Sequence, residues 1–213
     1  MRAIGSGLLT FTLCCGMLPA LLWGQSEETA LGAEVDSLLA AGKLKSAVRV
    51  VENARKKSGD HSLLRWKLAE LRLRAREYDR AVSEYAAYLK EDPSRYSGLE
   101  GRLRQLAAEP QHADHLLKAL AAAAAAAEDG LQLSLLASSC ALVAAKPELG
   151  LELLAPFGGD SQTSIVVLQY GHTCEAKGFL EAAAAAYGQY AAENPSSPQY
   201  YTALVRQAAV VAA

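Results

Sequence analysis

The chain has little of what a nucleic-acid binder or a metalloenzyme requires. Its 213 residues carry a formal net charge of -2, with no basic block and no acidic tail, so a nucleic-acid partner is not expected. Aromatic residues make up only 7%. With abundant alanine, that scarcity disfavours a β-sandwich or barrel and suits close helix packing. The sequence has no phosphate-binding glycine loop, no Cys-x-x-Cys and no His-Glu-x-x-His. Its nearest approach to a metal site is His112-Ala113-Asp114-His115. Residues three apart share a helix face, but no second cluster completes the ligand set that zinc needs, so the pair reads as the solvated start of a helix. Enzymatic activity, a metal and a cofactor are all unexpected.

The N-terminus reads as a targeting segment. Arg2 is the only charge before Glu27, and residues 3–24 are apolar with scattered Gly, Ser and Thr. A charged start, an apolar middle and a small-residue exit predict export, with cleavage after Gly24 or Ser26. The same 22 residues are long enough to stay as an uncleaved inner-membrane anchor. Cys14 and Cys15 raise lipidation, but Thr12 and Leu13 ahead of Cys14 and a further apolar run behind Cys15 match a lipoprotein box poorly. Residues 1–24 are therefore set apart from a folded region over 25–213.

That region is periodic. Ala81 follows Ala47 by 34 residues, and Ala183 follows Ala81 by 102, three further periods. A small residue recurring at this interval inside helical patterns marks stacked helix pairs. The clearest unit, residues 62–95, has apolar residues at helical spacing: Leu64, Leu68 and Leu71, then Ala81, Tyr85 and Tyr88. Arg76-Glu77 breaks the two helices apart, and Asp92-Pro93 ends the second. Residues 164–197 repeat the design, with Gly171 for Ala69, Ala183 for Ala81, Tyr187 for Tyr85, Tyr190 for Tyr88 and Pro195 for Pro93, and with Gly178 opening the turn. Residues 28–61 keep the register through Gly42, Ala47, Val51 and Ala54. Residues 94–130 and 131–160 are divergent pairs whose Pro110 and Pro147 start the second helix. Ala121 to Ala127 reads as the end of a helix reaching Glu128, stopped by Gly130 as the residue past its end. Residues 198–213 predict a final helix closing the stack.

These units resemble the tetratricopeptide repeat. Ala69, Ala81, Tyr85 and Pro93, and again Gly171, Ala183, Tyr187 and Pro195, fill the family's small, small, aromatic and proline positions; Trp66 lies one residue late for its tryptophan. The resemblance implies an all-α, right-handed solenoid of about five helix pairs with a C-terminal capping helix. Ala47, Ala69, Ala81, Tyr85, Gly171, Ala183 and Tyr187 would be its packing residues. Cys140 and Cys174 fall near the middle of helices in neighbouring repeats. Helix axes lie about 8–10 Å apart there and a disulfide needs Cα atoms within about 7 Å, so two small core residues fit better than a bridge.

The resemblance also implies that the first helix of each pair lines a concave groove. By register, that groove would show Trp66, Glu70, Leu73 and Arg74, then Arg102 and Gln105, then Gln132 and Ser139, then Leu168, His172 and Glu175. An exposed tryptophan or arginine there would anchor a partner. A groove that holds a C-terminal carboxylate is not expected, because Asn53 and Asn194 lie off the first helices. The expected function is a non-catalytic protein-binding scaffold or adaptor of a bacterial cell envelope, with a periplasmic accessory of a small-solute transport system as the alternative.

Overall fold

A computed structural model describes residues 18–160 and 162–213, with side chains from 28 onward. The predicted export or anchor segment therefore lies largely outside the described residues, as do Cys14 and Cys15. Among those described, no helix is long and apolar enough to cross a membrane.

The described residues form α-helices and short 3-10 turns, with no strand. The described residues fall into two compact units, one ending at Leu64 and the other beginning at Arg65. In the first, α1 (Leu18–Ala40) packs on α2 (Leu44–Ser58), and Val35, Ala47 and Val51 are fully buried. The second unit holds α3 (Arg65–Arg74), α4 (Tyr78–Glu91), α5 (Tyr96–Ala107), α6 (Pro110–Ala126), α7 (Leu131–Val143), α8 (Pro147–Leu154), α9 (Ile165–Ala176), α10 (Leu180–Glu193) and α11 (Tyr200–Val211). Consecutive helices pack as pairs, α3 with α4, α5 with α6, α7 with α8 and α9 with α10. First helices also meet first helices (α5 with α7), and second meet second (α4 with α6, α8 with α10). This is an all-α helical solenoid of the repeat type that the spacing predicts.

Small residues permit the close approach. Ala69, Ala81 and Ala183 are fully buried, as is the ring of Tyr187, and Tyr85 nearly so. A Cβ on Gly171 would stand 2.8 Å from Tyr187 Cε1 and 3.3 Å from Ala186 Cβ, so only glycine lets α9 lie this near α10. The apolar core is split. One cluster runs from Ala69 to Ala141 and holds Cys140, and the other runs from Leu142 to Val210 and holds Cys174. Both thiols are free and buried, and burial pushes them up to about 12 and about 11. The closing helix α11 buries Ala203 and Val210, while Tyr201, Leu204 and Val205 stay exposed on its other side. Terminal helices of such stacks ordinarily face solvent with polar residues.

Four of the turns within pairs share one backbone device. Gly42, Arg76, Ala145 and Gly178 adopt φ of 70°, 60°, 55° and 82°. In each turn the next N–H (Lys43, Glu77, Lys146, Phe179) reaches back to the carbonyl five residues earlier (Leu38, Arg72, Ala141, Cys174), at 2.8–2.9 Å. This is the Schellman helix end, whose left-handed residue is ordinarily glycine. Two turns meet the requirement with a side chain that strains the backbone, by about 1–2 kcal/mol. Part of that is offset because glycine loosens the unfolded chain. Arg76→Gly is therefore expected to stabilise the protein by about 0.5–1 kcal/mol, and Gly178→Ala to destabilise it by about 1 kcal/mol. Urea unfolding followed by circular dichroism measures both; a stabilising Gly178→Ala would contradict the shared turn.

The alanine run ends differently from expectation. Helix α6 stops at Ala126, with Ala127 extended, and Gly130 has φ of -82°, not the left-handed value. Gly130 is needed for a close approach instead, since a Cβ there would collide with the carbonyl oxygen of Ala124.

Candidate functional site

The first helices do carry the notable polar chemistry, in two arrangements. The first is a clasp that ties successive repeats. Glu70 on α3 accepts hydrogen bonds from the Tyr85 hydroxyl of its own pair (2.6 Å) and from Arg102 Nε and Nη2 of the next first helix (2.9 and 2.7 Å). Arg102 also reaches Gln105 Oε1 at 3.4 Å. A second clasp lies at the far end of the unit. Glu175 on α9 accepts from Tyr187 (2.5 Å) and from Arg206 of α11 (3.1 Å), and the same hydroxyl contacts His172 Nδ1 at 2.9 Å. His172 occupies the position of Glu70 three periods later, and Glu175 sits one helical turn further along the same face. The carboxylate has moved one turn while its tyrosine kept register.

The electrostatics follow. Burial works against ionising Glu70, but the bonds from Arg102 and Tyr85 prevail and hold its carboxyl below the ordinary value. The bond from Tyr187 leads in lowering Glu175. Burial first, then the adjoining carboxylate, raises both tyrosine hydroxyls. These groups are matched for structure: each acid stays ionised and each phenol stays protonated.

The second arrangement is a groove of about 240 Å³ between α5, α7 and α9. Helix α5 presents Tyr96, Glu100 and Arg104, spaced four apart on one face. Helix α7 presents Ser139, whose hydroxyl donates to Glu100 Oε1 at 2.6 Å. Helix α9 adds Gln169 and Thr173, Lys177 follows directly at its end, and Leu135, Leu142 and Val166 form apolar walls. Arg104, Gln169, Thr173 and Lys177 are exposed.

The groove residues expected from register are distributed over both arrangements and beyond. Glu70, Arg102, Gln105, His172 and Glu175 belong to the clasps. Trp66 is half-buried, with its ring centroid 5.3 Å from that of Tyr85 and 5.4 Å from that of Tyr88, and packs on the core. Leu73 and Leu168 are buried. Arg74 and Gln132 are exposed. Ser139 lines the groove. Sequence reading missed Tyr96, Glu100, Arg104, Gln169, Thr173 and Lys177; the one signal that could have found them is the four-residue spacing of Tyr96, Glu100 and Arg104. The two histidines of the metal-like cluster instead hold Tyr78. His112 Nδ1 contacts its hydroxyl at 2.7 Å, and the His115 ring stacks on it at 5.4 Å. No group of three or more metal-ligating side chains occurs among the described residues.

Helix pairs, a 34-residue register and a groove lined by first helices are the features of one repeat family. Residues 38–103 match the tetratricopeptide repeat model. The match runs from the end of α1 into α5 and supports a tetratricopeptide-repeat protein. Repeats of this kind generally mediate protein–protein interaction and are typically non-catalytic. No curated protein and no solved structure matches the chain.

Proposed function

We propose that this tetratricopeptide-repeat protein is a non-catalytic scaffold or adaptor of a bacterial cell envelope that binds a partner protein through the groove between α5, α7 and α9. The observation that carries this reading is the groove itself: three successive first helices converge on one open, mixed polar and apolar surface. At about 240 Å³ it is smaller than the roughly 300–1,000 Å³ that surrounds a drug-sized ligand, which favours a few side chains of a peptide over an enclosed solute. The envelope location rests on Arg2 and the apolar residues 3–24.

Gln169→Trp tests the binding surface. Gln169 is exposed and lines the groove, so an indole there fills the cavity without disturbing the core. Affinity capture from envelope extract with the tagged protein is expected to retain a stoichiometric partner that the Trp variant loses while keeping its helicity. A partner retained equally by both proteins would exclude the groove. N-terminal sequencing of the cell-derived protein tests export, with a mature end at Gln25 or Glu27 as the expected result.

A further inference from the structure

We infer that the groove takes an extended acidic segment of its partner, read through internal aspartate or glutamate side chains and not through a chain terminus. This inference rests on the scaffold reading above and names the chemistry of the partner. The warrant is the groove's hydrogen-bond inventory. The Ser138, Ser139, Tyr170 and Thr173 hydroxyls in its lining already donate within the protein, which leaves four donors, the Arg104 guanidinium, the Lys177 ammonium, the Tyr96 hydroxyl and the Gln169 amide. Among the described residues, none of these side-chain donors has a hydrogen-bond or ion-pair partner. Glu100 is the only carboxylate in the lining, and it already accepts from Ser139 at 2.6 Å. Two unpaired cations thus stand beside one carboxylate, a net excess of one positive charge. An acceptor-rich, negatively charged ligand complements such a surface, and a basic one is repelled.

One cleft on the other layer of the unit has the opposite character. A cleft on the second helices α8 and α10 is lined by Glu148, Glu152 and Glu181 with no lysine or arginine. The positive groove is therefore not a reflection of the whole chain, whose formal net charge is -2. The groove contains no asparagine, and its apolar walls suit a leucine or valine next to the acidic residue. Its cations lie on α5 and just past the end of α9, with α7 between them, and an extended segment that meets both crosses α7.

The test is selection of short random peptides displayed on phage against the immobilised full-length protein at about 0.15 M salt, where exposed charges are screened beyond roughly 8 Å. Enriched sequences are then titrated by fluorescence anisotropy. Acidic residues are expected to outnumber basic ones in the enriched pool. Binding should weaken by at least about tenfold in the Arg104→Glu, Lys177→Glu double variant, with a smaller loss in Arg104→Gln, Lys177→Gln. Both positions are exposed, and unchanged circular dichroism verifies that the variants fold; the Gln pair serves if charge reversal disturbs folding. Neutral or basic peptides that still lose binding to Gln169→Trp would overturn the acidic preference and leave the scaffold reading standing. Acidic peptides that bind the reversed variant as well as the wild type would remove Arg104 and Lys177 from recognition. No enrichment, or binding insensitive to Gln169→Trp, would overturn the groove and the scaffold reading together.

Discussion

Gly150→Ala is expected to destabilise the protein by about 2–3 kcal/mol, although helix propensity alone favours the change by about 1 kcal/mol. Gly150 lies within α8, in the sequence Pro-Glu-Leu-Gly-Leu-Glu-Leu-Leu, where a glycine looks like a defect waiting to be repaired. A Cβ at this position would run into the Tyr170 hydroxyl and stand 2.7 Å from its Cζ. Tyr170 has no easy escape. Its ring is buried on α9, and its hydroxyl donates to the carbonyl of Pro147 at 2.7 Å. The added methyl must either spread α8 from α9 or drive out the ring and break that buried bond. Overpacking costs about 1–3 kcal/mol and the lost bond about 1–3 kcal/mol, so together they exceed the propensity gain. A double-mutant cycle isolates the cause. In a Tyr170→Leu background the obstacle is gone, and Gly150→Ala is expected to become neutral or stabilising. A stabilising effect in the wild type, measured by urea unfolding, would mean that Tyr170 yields freely.

Glu70→Ala is expected to cost a similar amount, about 2–3 kcal/mol. The substitution removes the acceptor for three hydrogen bonds at once. It leaves the nearly buried Tyr85 hydroxyl without its partner and the half-buried Arg102 guanidinium without its counter-charge, which is why the loss exceeds that of an exposed ion pair. Tyr85→Phe, which removes a single bond, should cost about 1 kcal/mol. The pH dependence has a definite sign. The folded-state pKa values of Glu70 and Glu175 lie below the ordinary 4.5, so the folded protein binds fewer protons than the unfolded chain as the acid range is entered. The stabilisation they provide is complete above the unfolded value and is lost as pH falls through the folded values. Denaturation midpoints measured from pH 7 down to about pH 3 should therefore decline more steeply in the wild type than in Glu70→Ala. Parallel profiles would show that the clasp contributes nothing to folding.

How much of this was written in the sequence depends on how local each feature is. The helix pairs follow from residues that act within one turn or one neighbouring repeat. Small side chains at Ala47, Ala81 and Ala183, aromatics at Tyr85 and Tyr187 and breaks at Pro93 and Pro195 recur in one register, and that register is visible without coordinates. Two of the four Schellman turns were equally visible, because Gly42 and Gly178 announce a left-handed residue. Arg76 and Ala145 hide the same conformation, since the stacked helices impose it on side chains that do not favour it.

The two polar arrangements were beyond sequence because they depend on how far each first helix is rotated. On α5, Arg102 and Gln105 lie on the face engaged with Glu70 of α3, while Tyr96, Glu100 and Arg104 turn toward α7 and α9. Both sets are polar, both have helical spacing, and nothing within α5 says which one opens onto a groove. The 34-residue period also cannot reveal that the second clasp uses Glu175 in place of a carboxylate at His172, because a shift of one turn preserves the face and breaks the register. That helices form, where they break and that they stack follows from residues acting over one turn or one repeat. Which polar residues tie repeats together and which line the groove is set by packing, because a modest rotation of a helix moves a side chain from an interface to the groove.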